Sequence, residues 1–363
     1  MKTLLRLLLK SQHQRNRSAP DQTDKGMTLV ELLVGAIMAF LIITPMIGFV
    51  VDMLNTDRRE QVKSNTEQDV QAALDFIAQD LSQAIYIYDN NPAPTNTPTT
   101  TATGIPALLA GNFIPQIPNE TPILVFWKRE LIKNSMPLIV NNQPNDCQPP
   151  PTGQNAPCND TYVLALVAYY QVREATPNSI WCQPSGAPCP TRIVRYQIKD
   201  GLRDPNSTNP DPLQRYFTGV SSAQDRSPAF NPGFDISNPT QNVTRGPNFG
   251  NPEVLVNYID HSPQTGKPID PAECQKALGE PTTQTGTTTA KILESTLKVT
   301  DTLSTPNTNS FYACVDTSKN IARVTIRGNS LRRLETPANY DDKKAAYFPT
   351  ASVQVQGLGA RGK

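Results

Sequence analysis

The polar and apolar positions divide the chain sharply. Residues 32–51 read LLVGAIMAFLIITPMIGFVV, twenty positions without a charge. About 20 apolar residues in helix cross a hydrocarbon core of about 30 Å. The h-region of a secretory signal runs only about 7–15 residues and ends at a small-residue cleavage pattern, which is missing here. The run therefore predicts a membrane-spanning helix. One ionisable side chain, Glu31, stands at its start, where a charge costs about 2.5–3.5 kcal/mol and marks a functional position. From Asp52 to Asp89 there is no Pro or Gly, and Val70, Leu74, Ile77, Leu81, Ala84 and Tyr88 follow one another in steps of four and three. That spacing is an amphipathic helical stripe. The two patterns join into one predicted helix over 27–88, about 90 Å long at about 1.5 Å per residue. Its first part, 32–51, would be membrane-embedded and its second part, 52–88, amphipathic. Pro45 withholds an N–H inside the first part and is the expected kink.

Beyond residue 89 the period changes. Residues 90–104 (NNPAPTNTPTTTATG) read as a loop. Strand-like runs follow at 123–127, 138–140, 162–172, 192–198, 254–259, 311–315 and 322–327. Several alternate, as in Arg192-Ile193-Val194-Arg195-Tyr196-Gln197-Ile198, which fits sheets with one solvated face. Residues 201–251 and 261–290 are rich in Pro, Asn, Thr and Gly and are predicted as long surface loops. The six cysteines all fall in this part. An even count suggests three disulfides, and of the fifteen possible connectivities we take the local one, Cys147–Cys158, Cys182–Cys189 and Cys274–Cys314. Zinc is the rival, but there is no C-x-x-C pair and His261 is the single histidine here, so no metal is assigned.

Composition narrows the class. The 363 residues suit about two domains. Proline, at 34 residues, is close to twice its usual share of about 5%, which disfavours an all-helical bundle. The fold class is α+β. Lys+Arg number 33 against 32 Asp+Glu, too balanced for a nucleic-acid binder. The charge is nevertheless uneven: residues 1–26 hold six basic side chains against two acidic ones. A basic head before an apolar helix stays in the cytoplasm, leaving the rest of the chain across the membrane.

The junction between head and helix reads Lys25-Gly26-Met27-Thr28-Leu29-Val30-Glu31. Cutting after Gly26 would create an α-amino group at Met27, one helical turn from Glu31, whose carboxylate could neutralise that amine or a neighbouring subunit's. This stretch resembles the class III signal of type IV pilins and pseudopilins, with Met27 where Phe is commonest and a leader of 26 residues that is long for the family. The resemblance implies cleavage between Gly26 and Met27 by a membrane aspartyl prepilin peptidase, N-methylation of Met27, and assembly guided by Glu31 pairing with the amine of an adjacent subunit. It also implies a pilin-like fold, a long helix packed on an antiparallel sheet domain (89–363) with long loops. The segments 193–201 and 322–328 are similar to stretches of J-type minor pseudopilins and W-type minor pilins. The stretches 41–51, 71–81, 85–89 and 124–130 are closer to pseudopilins of cyanobacterial hormogonium polysaccharide secretion. That likeness implies an inner-membrane protein with an exported C-terminal domain, serving polysaccharide export and gliding. Its implied partners are prepilin peptidase, other pilins or pseudopilins, and the inner-membrane assembly platform. The ATPase of that platform would act indirectly, since this chain has no G-x-x-x-x-G-K-[ST] loop.

Two other classes compete with a structural subunit. A tip-displayed binding module would hold polysaccharide on Tyr216, Phe217, Phe230, Phe234 and Phe249 of the 201–251 loop, although aromatics in long loops more often pin the loop to its domain. An enzyme has little support: there is no G-x-S-x-G, and no unpaired cysteine is expected. Asp341-Asp342 read as a solvated turn. Asp200 and Asp204 flank a turn and offer a weak calcium signal. No cofactor is expected.

Overall fold

The computed structural model describes residues 28–91, 104–138, 143–144, 147, 158–221, 224–237, 249–263, 270–285, 288–302 and 307–359. The chain divides into two compact units, Met1–Arg58 and Arg59–Lys363. One helix, α1 (Leu29–Ser82, 54 residues), contributes to both.

In the first unit α1 is apolar on every side from Leu32 to Val51, and its large apolar side chains from Leu29 to Leu54 are exposed. A helix apolar all round cannot be at rest in water; it belongs in a core or in lipid. It is long and apolar enough for a single membrane span. The helix continues through Pro45, and the neighbouring Thr44 hydroxyl donates to the Phe40 carbonyl at 2.8 Å.

The second unit is an α+β domain. Here α1 buries one stripe, Thr66, Val70, Ala73, Leu74, Ile77, Asp80 and Leu81. The helix ends at Ser82, six residues before the expected Tyr88. The run Ala84-Ile85-Tyr86-Ile87 instead forms strand β1 (Ala84–Ile87), pairing antiparallel with β2 (Glu120–Pro137). Alternate β-branched and aromatic side chains suit a pleated surface better than a helix, so the sheet takes them.

β2 pairs β3 (Cys158–Arg173), then β4 (Thr191–Lys199) and β5 (Glu253–Ile259) complete a five-stranded antiparallel sheet in the order β1-β2-β3-β4-β5. A second sheet has the order β11-β10-β9-β8, from β8 (Lys298–Thr300), β9 (Phe311–Asp316), β10 (Ile321–Arg327) and β11 (Thr350–Gln356). A bridge between Ile259 and Gly328 joins the two sheets. Gly328 lies beneath α1: a Cβ there would stand 2.7 Å from Thr66 Cγ2 and 3.1 Å from Val70 Cγ2. The glycine is what lets this backbone approach the helix. One core under α1 includes Leu74, Ile77, Leu81, Phe126, Tyr169, Phe311, Val324 and Ile326.

The predicted loops are partly structured. Residues 273–291 hold α2, a helical turn (Glu273–Ala277), and a hairpin of β6 (Thr282–Thr285) with β7 (Thr288–Lys291). Leu138 lies just past β2, and residues 139–140 of the run expected there fall outside the described residues. Disulfides join Cys147 with Cys158, Cys182 with Cys189 and Cys274 with Cys314.

Candidate functional site

Gly26 and Met27 lie outside the described residues. Glu31 sits in the first turn of α1, where a carboxylate favours the positive end of the helix dipole. Its backbone N–H donates to the Thr28 hydroxyl at 3.3 Å. Among the described residues no cation pairs with its side chain, and exposed Leu29, Val30, Leu32, Leu33 and Val34 surround it. The arrangement is a carboxylate in an apolar patch with no cation partner among the described residues.

Asp80, on the same helix, is the opposite case. It occupies the buried stripe and is 7% exposed. Lys128 Nζ of β2 donates to one carboxylate oxygen at 2.8 Å. Arg195 Nε of β4, at 2.8 Å, and the Tyr169 hydroxyl of β3, at 2.6 Å, donate to the other. Three adjacent strands thus converge on one helical side chain. Burial by itself would raise the Asp80 carboxyl, but the Arg195 charge and the Lys128 and Tyr169 hydrogen bonds hold it below its ordinary 3.8. Burial and the Asp80 charge push the Tyr169 hydroxyl well above its ordinary value. Arg195 extends the network to Gln197, which reaches Glu130. Earlier along the helix, Arg333 pairs with Asp69 and stacks over Tyr258 at 4.4 Å. The sequence held a signal for this anchor, a charge at position 80 inside the 77–81 stripe and another within the 193–196 run. Its partners lie 48 to 115 residues away, too far for local spacing to reveal.

The aromatics proposed as a sugar platform are drawn inward. Phe230, Phe234 and Phe249 are buried, Trp127 stacks on Phe234 with centroids 4.2 Å apart, and Phe230 meets Trp127 edge-on. Tyr216 is half-buried, donates to Asp200 at 2.6 Å and carries Arg203 and Arg226 over its ring. Phe217 is half-buried, and the contacts of Tyr216, Phe230, Phe234 and Phe249 hold the described part of the loop to the domain.

Asp200 spends its oxygens on Gly201 N, Arg203 Nε and Tyr216, while Asp204 caps Asn206 N at 2.8 Å. The two aspartates therefore terminate a turn. Asp341 accepts from Lys343 N in an exposed helical turn. His261 is buried, with Nε2 3.2 Å from Asn339 Oδ1. Burial pushes its pKa below the ordinary 6.5. Among the described residues no cluster of three His, Cys, Asp or Glu side chains is placed to hold a metal. Comparison with protein-family models, curated proteins and solved structures found no match to this chain.

Proposed function

We propose that the chain is a minor pseudopilin, a subunit that enters or primes a short filament of a type IV pilus-like or type II secretion-like machine supporting polysaccharide export and gliding. Prepilin peptidase cuts after Gly26 and methylates the Met27 amine. Glu31 then meets the amine of a neighbouring subunit as the apolar helices bundle. The chain is a structural part and not an enzyme; the chemistry is done to it. Its exported domain stands on the far side of the inner membrane, and other pseudopilins and the assembly platform are its partners. The polysaccharide and gliding assignments rest on the sequence resemblance.

One observation carries the reading: an exposed apolar helix whose first turn bears a carboxylate with no cation partner among the described residues, continuous with a helix locked to an antiparallel sheet. A carboxylate in that setting is costly unless a cation neutralises it, and the Met27 amine of a neighbouring subunit is the proposed one. Glu31→Val removes the charge and preserves the apolar surface. The variant is expected to reach the membrane in normal amount and to be lost from sheared or pelleted filaments. Normal recovery in filaments would reject the pairing mechanism.

A further inference from the structure

Arg332 is among the largest fully buried side chains of the protein, in the short helical turn Leu331–Arg333. Its Nε donates to the Pro188 carbonyl at 2.9 Å and its Nη2 to the Gly186 carbonyl at 2.8 Å. The same Nη2 lies 3.4 Å from Cys182 Sγ. Nη1 has no partner. Among the described residues no carboxylate pairs with this guanidinium, whereas buried Arg195 has Asp80 and buried Arg327 has Asp260. Arginine keeps its proton in proteins, so a full positive charge is held here by carbonyl dipoles alone.

Of the three atoms that the guanidinium touches, only Cys182 Sγ can become an anion. In the disulfide it is neutral; released as a thiolate it would supply the missing counter-charge. The Cys274–Cys314 bond has the opposite surroundings, because the Cys274 N–H donates to the Glu294 carboxylate at 2.8 Å. An anion there disfavours a second one. The two residues also differ in exposure: Cys182 is fully buried, while Cys189 keeps 6% of its surface.

We propose that Cys182–Cys189 is a thiol–disulfide exchange site for a protein dithiol, with Cys189 the sulfur attacked and Cys182 the sulfur that leaves. A thiolate of the dithiol bonds to Cys189 Sγ as the Cys182–Cys189 bond breaks, and the electron pair departs on Cys182 opposite Arg332. The partner's second thiol, as thiolate, then attacks its own sulfur in the mixed disulfide. That step releases Cys189 as a thiolate, which takes up a proton. Two electrons pass from the dithiol, which becomes a disulfide, to the protein; oxidation of the reduced pair runs the same steps backwards. The inference rests on Arg332 and does not depend on the filament reading.

The test uses the full chain in detergent micelles. Cys189→Ser leaves Cys182 as the lone thiol, and its ultraviolet thiolate absorbance is followed against pH. The midpoint is expected within the range of about 3.5–7.5 found for cysteines beside cations, and Arg332→Gln is expected to raise it toward about 8.5. A midpoint at or above about 8.5 with Arg332 present overturns the proposal. In the unaltered protein, limiting dithiothreitol followed by alkylation and mass mapping should open 182–189 at least about tenfold before 274–314, since a low-pKa sulfur leaves faster. Equal or later opening also overturns it. Both decisive readings keep Arg332, so they stand even if Arg332→Gln does not fold.

Discussion

Glu31 and Asp80 are carboxylates on one helix, and their surroundings are opposed. Glu31 stands exposed among apolar side chains with no cation from the described residues. Asp80 is buried and receives hydrogen bonds from Lys128, Tyr169 and Arg195 on three strands. A buried charge is tolerated only when paired and fully hydrogen-bonded, and Asp80 satisfies that rule inside its own chain. No cation among the described residues does this for Glu31; in the proposed function the Met27 amine, its own or a neighbouring subunit's, supplies it. The contrast separates a charge satisfied inside the folded domain from one that, in the proposed function, serves assembly.

Removing each carboxylate should therefore give different losses. The largest stability effect is expected for Asp80→Ala, which strands Lys128 as a buried cation and leaves Arg195 only the exposed Glu253, 3.6 Å away. Breaking a buried pair costs about 3–5 kcal/mol. Denaturant unfolding of the detergent-solubilised chain, followed by Trp127 fluorescence, would measure it. A loss below about 1 kcal/mol would demote the anchor to an ordinary surface pair.

Next comes Gly328→Ala, which pushes a methyl to 2.7 Å from Thr66 and presses α1 off its seat. Overpacking of this kind costs about 1–3 kcal/mol by the same assay. An unchanged midpoint would show that the helix can shift freely.

Acid should act in two windows. The His261 pKa is lowered in the folded protein, so from pH 6.5 downward the unfolded chain binds a proton that the folded chain refuses, and stability falls. His261→Asn should flatten that limb. The Asp80 pKa is also lowered, so its contribution is complete above about the ordinary 3.8 and is lost as pH falls through the depressed value. Asp89 opposes it, since burial raises its carboxyl and acid relieves the cost. The difference between the unaltered protein and Asp80→Asn isolates the anchor, and it should shrink only at the acid end. The smallest stability effect is expected for Glu31→Val, within about 0.5 kcal/mol, the range of an exposed substitution. A larger loss would give Glu31 an intramolecular role.

The elements with strong patterns were legible in sequence. The uncharged run 32–51 and the stripe through Leu74, Ile77 and Leu81 give α1, and the alternation at 192–198 and 322–327 marks β4 and β10. β1 was hidden because Ala84 and Tyr88 continue the helical steps, although the intervening Ile-Tyr-Ile prefers a sheet. β11 alternates Ala351, Val353 and Val355 with polar residues, a weaker signal than the long apolar runs nearby. The polar tail of β2, from Lys128 to Pro137, carries no apolar alternation and is extended by pairing with β3. In the candidate site Glu31 was legible from its place in a motif. The Asp80 anchor was not, because it is assembled by strands that meet only in the folded domain.

The most direct measurement is the intact mass and N-terminal fragmentation of the protein extracted from membranes. The account predicts a chain that begins at Met27 with a methylated amine, one turn from Glu31. A chain that still begins at Met1 would contradict it, leaving a signal-anchored protein with an exported β-rich domain and no filament role.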